Sequence, residues 1–319
     1  MLGILESEEK MVKHKQLDLK GTNTLRDAIT AYLNSPAFAE LSGPTQKQYE
    51  TRLTVVCMTK VQKGKVLGNI KLRDISLKHV TYAYDTWLNE RGPRAANYNA
   101  SCLSIVLNLA RRHEALLYNP VSLLKRKVDK PRNVKWTTDD VRLFLDTAYS
   151  HWWSRSIGLI VHMSYEWGQR IGDMRLLKWD AIDFEQERVD ITQSKRGAEV
   201  HLPIDDGLMP MLKQQKEDFG FQPYVAPHVK PKSGSYNPYS ETDIHHYVNR
   251  VKDEAGLDPD LQARDLRRTA ITEMVEAGVD LVGIMQVSGH QNPASVKPYL
   301  VNTLSGASAA LAKRKGITE

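Results

Sequence analysis

The stretch from Gln262 to Tyr299 constrains this chain more than any other. Two arginines stand one helical turn apart at its start, Arg264 and Arg267, and two short helical patterns follow them. Gly289-His290 comes after the second pattern, and Tyr299 lies nine positions further on. Arginine forks bind phosphate oxygens at two points, histidine exchanges a proton near neutral pH, and a tyrosine hydroxyl can be a nucleophile. Together these side chains predict chemistry on a phosphodiester.

Two basic residues further upstream belong to the same pattern. Arg170 lies in EWGQRIGD, residues 166–173, and Lys195 lies in QSKRG, residues 193–197, on the turn of a predicted hairpin. In this order and spacing the segments resemble the catalytic domain of the tyrosine recombinases, the phage integrase family, over roughly residues 135–305. That family's pattern is an arginine, a lysine, His-x-x-Arg, a His or Trp after glycine, and a tyrosine. The chain departs from it at Arg264, where the family most often has histidine.

The resemblance implies a role for each residue of this set. Arg170 and Arg267 hold the pentacovalent phosphate, as preorganised charge does in other enzymes, and Arg264 and His290 donate further hydrogen bonds. Lys195 protonates the leaving 5′ oxygen, and Tyr299 attacks in line and keeps the phosphate as a 3′-phosphotyrosine, so that ligation requires no ATP. The proton-transfer role usually given to the position of Arg264 stays open. The predicted catalytic residues are Arg170, Lys195, Arg264, Arg267, His290 and Tyr299.

The sequence offers no signal for a cofactor. It contains no carboxylate cluster with metal-ligand spacing and no Walker-type loop, so we expect neither a metal ion nor a nucleotide cofactor. Its two cysteines, Cys57 and Cys102, cannot form a zinc site alone and are predicted as small core residues. The absence of a long apolar run predicts no membrane partner, and the cysteine usage indicates a reduced cytoplasmic setting.

The positive charge of the chain is concentrated in its first part. Residues 1–130 carry 21 Lys and Arg against 12 Asp and Glu, whereas the remainder carries 23 against 26. A net charge of +9 on the first part suits a polyanionic partner, and the resemblance identifies that partner as double-stranded DNA. The alternative is an ordinary solvated surface. The residues predicted to contact DNA phosphates are Lys47, Lys63, Lys65, Arg94, Arg111 and Arg112.

Apolar spacing predicts a mainly α-helical fold in two parts. Four helices with short connections, the first capped by Thr24 and the last spanning residues 95–117, predict a small all-α bundle that resembles the family's core-binding domain. The second part is predicted as an α+β catalytic domain, opened by a Thr137–Asp140 capping box and holding one small antiparallel sheet within residues 182–204. The predicted bounds are a flexible arm at 1–20, the core-binding domain at 21–118, an interdomain linker at 119–135, and the catalytic domain with its C-terminal tail at 136–319.

The sequence therefore predicts a site-specific DNA recombinase. The resemblance implies a homotetramer on two DNA sites, with room for accessory DNA-bending or directionality factors. Two alternatives stay open. A type IB topoisomerase uses the same chemistry without exchanging strands, and a DNA-binding protein with a decayed active site would account for the departure at Arg264.

Overall fold

The structure, a computed structural model, describes residues 18–61, 64–129, 134–195, 197–299, 307–308, 311–312 and 314–315. The chain divides into two compact units, Met1–Pro131 and Arg132–Glu319, each with a hydrophobic core of its own. The break between the units falls inside the segment predicted as a linker. Most of the predicted N-terminal arm, and most of the tail after Tyr299, lie outside the described residues.

The first unit is built from helices, as predicted. The side chain of Thr24 accepts a hydrogen bond from the backbone N–H of Asp27, and the Asp27 carboxylate accepts one from Thr24, so the first helix begins with a capping box. Cys57 and Cys102 are buried in the core of this unit as free thiols, which confirms their prediction as core residues. The helices are α1 (Leu25–Leu33), α2 (Pro36–Ala39), α3 (Gly43–Met58) and α4 (Leu77–Arg112), with single 3-10 turns at Leu67–Asn69, Leu72–Asp74 and Pro120–Leu123.

Helix α4 contains the break that the sequence predicts between two helices. Gly92 has a φ of 75° and a ψ of 176°, a conformation that favours glycine, and Pro93 restarts the helix because its fixed φ suits a first turn. The predicted end of this helix at Leu117 is wrong. The helix ends at Arg112, because Glu114 takes a left-handed φ of 58° and turns the chain away.

The second unit contains the predicted small sheet. Strands β2 (Arg188–Thr192) and β3 (Glu199–Pro203) form the expected antiparallel hairpin, and β1 (Ile182–Asp183) pairs with the other edge of β2. Ile191 lies opposite Val200, and the buried and exposed positions alternate along both strands. This alternation fixes the register of the hairpin and hence the place of its turn, which carries Lys195.

Seven helices of the second unit surround this sheet among the described residues. The capping box of Thr137 and Asp140 is present as predicted. The sequence does not predict helix α8, because Gln215 is one of its four buried positions and interrupts the apolar stripe. No helix within the described residues combines the length and the apolarity needed to span a membrane. The helices are α5 (Thr138–Ser150), α6 (Arg155–Glu166), α7 (Ile171–Met174), α8 (Met209–Phe219), α9 (Glu241–Ala255), α10 (Leu266–Glu276) and α11 (Leu281–Ser288).

Three carboxyl groups meet where α6, β3 and α10 come together. Glu166 ends α6, Asp205 follows β3, and Glu273 lies on α10, where it accepts a hydrogen bond from the hydroxyl of Tyr165 at 3.0 Å. Partial burial, the charge of Asp205 and a hydrogen bond to that carboxylate raise the pKa of Glu166 to about 7, with a smaller contribution from Glu273. Glu166 therefore keeps its proton to a higher pH than an ordinary glutamate does.

We expect this pair to make the stability of the second unit depend on pH. Between the ordinary Glu pKa of 4.5 and about 7, the folded protein holds a proton that the unfolded chain has released, so stability falls as pH rises through this range. Glu166→Gln keeps a donor to Asp205 at every pH. The variant should therefore match the parental protein at pH 5 and be more stable at pH 8.

Urea unfolding followed by tryptophan fluorescence measures this difference, because five of the six tryptophans lie in the second unit. Glu185→Gln, on the exposed turn between β1 and β2, is the matched control. Equal pH dependence in the Glu166→Gln variant and the parental protein would contradict the assignment.

Candidate active site

One cavity of about 690 Å³ in the second unit brings the predicted catalytic residues together. It lies where α7, the hairpin turn and the 3-10 turn Ala263–Asp265 meet the end of α11 and the 3-10 turn Lys297–Tyr299. Segments that are up to 129 positions apart in sequence thus supply one site. Its lining includes all six predicted residues, Arg170, Lys195, Arg264, Arg267, His290 and Tyr299.

Arg170 enters the cavity from the N-terminal end of α7. Its Nη1 lies 3.7 Å from Oδ2 of Asp173, one turn further along, and Asp173 is buried. The other oxygen, Oδ1, accepts hydrogen bonds from the backbone N–H of Ser194 at 3.1 Å and from its hydroxyl at 2.5 Å. Asp173 thus orients Arg170 and also fixes the base of the turn that carries Lys195.

Two buried glutamines, which the sequence does not single out, support the arginines. Oε1 of Gln193 accepts from Nη1 of Arg170 at 2.8 Å. Nε2 of Gln193 donates to Oε1 of Gln169 at 2.7 Å and to the carbonyl oxygen of Ser288 at 2.8 Å. Gln169 in turn donates to the carbonyl oxygen of Val287 at 2.7 Å. This amide pair, Gln169 and Gln193, ties α7, the hairpin and the end of α11 into one hydrogen-bonded unit.

Arg267 is the most deeply placed cation of the site, with only 7% of its surface exposed. Its Nη2 donates to the carbonyl oxygen of Ser288 at 2.7 Å, and its Nη1 lies 3.5 Å from Oε1 of Gln169. Burial and the nearby charge of Arg170 lower the pKa of Arg267 to about 10, while electrostatic interactions with Tyr299 and Asp173 oppose the shift. The guanidinium stays charged at neutral pH, and a phosphate would relieve the repulsion from Arg170.

The end of α11 positions His290. Gly289 has a φ of 67°, and a Cβ at this residue would lie only 2.5 Å from Nε2 of Gln193, so both conformation and space require glycine. The chain turns there and brings Nδ1 of His290 to 2.7 Å from the hydroxyl of Ser288. Nε2 of His290 lies 3.5 Å from Nη2 of Arg267.

Tyr299 reaches the cavity from a short 3-10 turn that packs on α10 and α11. Val296, on the same segment, is fully buried with Ile271 and Ile284, and Tyr299 packs against this small cluster. The rings of Tyr299 and His290 have centroids 5.9 Å apart. A separate hydrophobic anchor therefore holds the tyrosine beside the histidine and Arg267.

Lys195 and Arg264 differ from the other four predicted residues in being exposed. Lys195 stands on the hairpin turn, and Arg264 lies on the 3-10 turn before α10, next to the buried Asp265. Both line the cavity from its open side. The side chains can therefore reach a ligand that approaches from solvent.

The predicted phosphate contacts of the first unit are exposed where the structure describes them. Lys47 lies on α3, and Arg94 and Arg111 lie on the second half of α4, roughly 26 Å apart at 1.5 Å per helical residue. Contacts spaced in this way can follow a DNA backbone over several phosphates. Lys65 and Arg112 are exposed too, and Lys63 lies outside the described residues. Their contact with DNA stays a prediction.

Within the described residues, no group of three or more His, Cys, Asp or Glu side chains is arranged to hold a metal ion. The charged groups that face the cavity are chiefly cations, which suits an anionic ligand. Guanidinium groups to bind phosphate, an ammonium group to donate a proton and a phenol to attack are all within one cavity. This set can support transesterification of a phosphodiester.

Comparison with known proteins identifies the family. Residues 136–304 match the model of the phage integrase family. The tyrosine recombinase XerA of Pyrococcus horikoshii is 24% identical over 229 residues, which cover 70% of this chain and 76% of that protein. The integrase of Escherichia phage HK022 is 25% identical over 194 residues, covering 58% of this chain and 51% of the phage protein.

Solved structures show the same fold. A lambda integrase tetramer bound to a Holliday junction matches with a TM-score of 0.70 and 19% identity, over 89% of this chain and 79% of that one. The Tn1549 transposon integrase in complex with circular intermediate DNA matches with a TM-score of 0.75 and 14% identity, over 91% and 99% of the two chains. The family model spans more than half of the sequence and all six predicted catalytic residues. The chain belongs to the phage integrase family of tyrosine recombinases.

Proposed function

We propose that this protein is a site-specific recombinase that cleaves and rejoins double-stranded DNA through a 3′-phosphotyrosine, without metal or ATP. The observation that carries the proposal is the convergence of six residues from five separate segments on one cavity, with the ring of Tyr299 beside that of His290. Membership of the phage integrase family gives the reaction class.

The phosphate is held by the buried side of the site. Arg170 and Arg267 lie on either side of the amide pair and repel each other, as the lowered pKa of Arg267 reflects. A pentacovalent phosphate carries more negative charge than the diester it derives from, so both arginines bind it better than the ground state. Gln169 and Gln193 are neutral, so they orient the arginines without cancelling their charge.

The bond-breaking step uses the phenol and the exposed lysine. The hydroxyl oxygen of Tyr299 forms a bond to phosphorus as the bond from phosphorus to the 5′ oxygen breaks. Lys195 gives a proton to the leaving oxygen, and Arg264 donates hydrogen bonds to a phosphate oxygen. Because the phosphotyrosine keeps the energy of the cleaved bond, a second 5′ hydroxyl can reverse the reaction and rejoin the strand.

The expected partners are DNA and further copies of this chain. We assign residues 21–118 to gripping DNA, residues 119–135 to the linker and residues 136–319 to catalysis, with exposed basic residues such as Lys47, Arg94 and Arg111 on the backbone. We propose a homotetramer on two DNA sites, in line with the tetrameric lambda integrase, which has the same fold. Accessory DNA-bending or directionality factors remain further proposed partners.

A covalent adduct tests the reaction class. A nicked suicide substrate releases the short strand after cleavage, so the phosphotyrosine accumulates and can be mapped by mass spectrometry. A DNA-binding protein with a decayed active site forms no adduct. Strand exchange between two DNA sites, assayed next, separates recombination from topoisomerase-like relaxation.

Tyr299→Phe should abolish the adduct and keep DNA binding. The substitution removes the attacking oxygen and leaves the ring packed in its cluster with Val296. Gel retention on the suicide substrate measures both properties together. Tyr165→Phe, which removes a hydroxyl bonded to Glu273 away from the cavity, is the control and should cleave at the parental rate. An adduct that persists in Tyr299→Phe at another tyrosine would overturn the assignment.

Arg264→Ala should slow cleavage on the order of 10²- to 10³-fold, the effect of deleting one oxyanion donor. Arg264→His should retain much more activity, because imidazole can also donate a hydrogen bond to a phosphate oxygen. Single-turnover cleavage rates measure the difference. Arg142→Ala removes another exposed arginine of the same unit, far from the cavity, and serves as the control. Parental rates for Arg264→Ala would remove this residue from the site.

Gln193→Ala should impair cleavage, because Arg170 loses its acceptor and the base of the hairpin loses its tie to Ser288. Removing a buried hydrogen-bonding group also lowers the free energy of unfolding, by about 1–3 kcal/mol. Gln215→Ala controls for this cost: Gln215 is equally buried and bonds to Ser156 and Arg155 instead. Comparing single-turnover rates with melting temperatures separates the two effects. Equal loss of activity in both variants would reduce Gln193 to a general packing role.

A further inference from the structure

Ser288 is the last residue of α11, and its side chain is fully buried. Its hydroxyl oxygen lies 2.5 Å from the carbonyl oxygen of Ile284 and 2.7 Å from Nδ1 of His290. A serine hydroxyl has one proton, so it can donate to only one of these two atoms. The arrangement of the two contacts therefore decides which ring nitrogen of His290 carries its proton.

The hydroxyl of Ser288 donates its proton to the hydrogen bond with the carbonyl oxygen of Ile284. Two oxygens at 2.5 Å repel each other unless a hydrogen lies between them, and a carbonyl oxygen has none to give. A serine that bonds back to the carbonyl four residues earlier is also a usual arrangement in helices. The hydroxyl oxygen then faces Nδ1 of His290 as an acceptor, so Nδ1 must carry the hydrogen.

The contact of the other ring nitrogen is compatible with this tautomer. Nε2 of His290 lies 3.5 Å from Nη2 of Arg267, and a guanidinium can only donate. A neutral imidazole has one N–H and one bare nitrogen, so Nε2 is the bare nitrogen on this side as well. Ser288 thus specifies the tautomer, and the contact with Arg267, which is long for a hydrogen bond, agrees with it.

We infer that Ser288 is a positioning residue that holds neutral His290 as the Nδ1–H tautomer, so that Nε2 accepts the proton of Tyr299 when the phenol attacks phosphorus. This role rests on the proposed function. Arg264 carries no lone pair that could accept a proton, so it does not compete for this task. The ring of His290 lies beside that of Tyr299, at 5.9 Å between centroids.

The step balances in protons and bonds. The bond from the Tyr299 oxygen to phosphorus forms while the bond from phosphorus to the 5′ oxygen breaks. The phenol proton passes to Nε2 of His290, and Lys195 supplies the proton of the leaving hydroxyl. His290 ends as an imidazolium whose Nδ1–H still donates to Ser288, and that hydrogen bond is stronger once the ring is charged.

The tautomer can be observed directly in the full-length protein without DNA. Long-range 15N–1H correlation spectra of histidine-labelled protein, above the titration of the ring, distinguish Nδ1–H from Nε2–H. The chain has ten histidines, and His290→Gln identifies the signal of interest. We expect Nδ1–H in the parental protein and a population of Nε2–H in Ser288→Ala. An Nε2–H ring in the parental protein, or an unchanged ring in the variant, would overturn the inference.

Kinetics test the consequence of this tautomer. Ser288→Ala keeps the carbonyl that accepts from Arg267 and Gln193, so only the hydroxyl is lost. Single-turnover cleavage should slow about tenfold or more, part of the 10²- to 10⁴-fold that positioned proton transfer supplies, with DNA affinity unchanged.

Ser154→Ala is the matched control, because Ser154 is a fully buried serine that donates to the carbonyl of Ala148 away from the cavity. A similar slowing in the Ser154→Ala control, or a parental rate in Ser288→Ala, would refute the positioning role. The tautomer is measured without cleavage, so a parental protein that forms no adduct would count against the proposed function alone.

Discussion

The site depends on holding two guanidinium groups side by side in a partly buried cavity. Arg170 and Arg267 repel each other, and that repulsion together with burial lowers the pKa of Arg267. Neutral acceptors hold them in place: the amide oxygens of Gln193 and Gln169 and the carbonyl oxygen of Ser288. Carboxylates in these positions would stabilise the free protein more but would compete with the phosphate. The carboxylate of Asp173 lies at 3.7 Å from Arg170 and also accepts a hydrogen bond from Ser194.

The same hydrogen bonds link the parts of the site mechanically. Gln193 joins the hairpin to the carbonyl of Ser288, and Ser288 contacts both Arg267 and His290. A shift of the hairpin would therefore displace both Arg170 and His290. Glycine at 289 allows this close approach, since any Cβ there would meet the amide of Gln193. The cavity is thus organised before a ligand enters, which lowers the cost of binding the transition state.

The sequence predicts the residues proposed to react better than it predicts the residues that hold them in position. Order and spacing identify Arg170, Lys195, Arg264, Arg267, His290 and Tyr299, because reacting groups recur in recognisable local patterns. Gln169 and Gln193 lie inside two of the segments that carry this pattern, but a glutamine has no charge, and no apolar periodicity marks these two as buried. The end of α4 at Arg112 instead of Leu117 depends on the backbone of Glu114, which apolar spacing cannot reveal. Helix and strand positions were predictable where one face is apolar, as in the hairpin of β2 and β3.

The six predicted catalytic residues differ in burial, and buried and exposed residues must be positioned in different ways. Arg267 is almost fully buried and is fixed by several hydrogen bonds, whereas Lys195 and Arg264 stand exposed at the open side. Groups that stabilise charge must be fixed beforehand, because reorganising them during the reaction would cost free energy. In the proposed mechanism Lys195 meets the leaving oxygen and Arg264 meets a phosphate oxygen from the open side, where the DNA itself can place both side chains as it fills the cavity. The departure from histidine at Arg264 falls in this exposed group, where a longer, permanently charged donor can still reach a phosphate. In the mechanism we propose, proton acceptance moves inward to His290, whose tautomer the buried hydroxyl of Ser288 is placed to set.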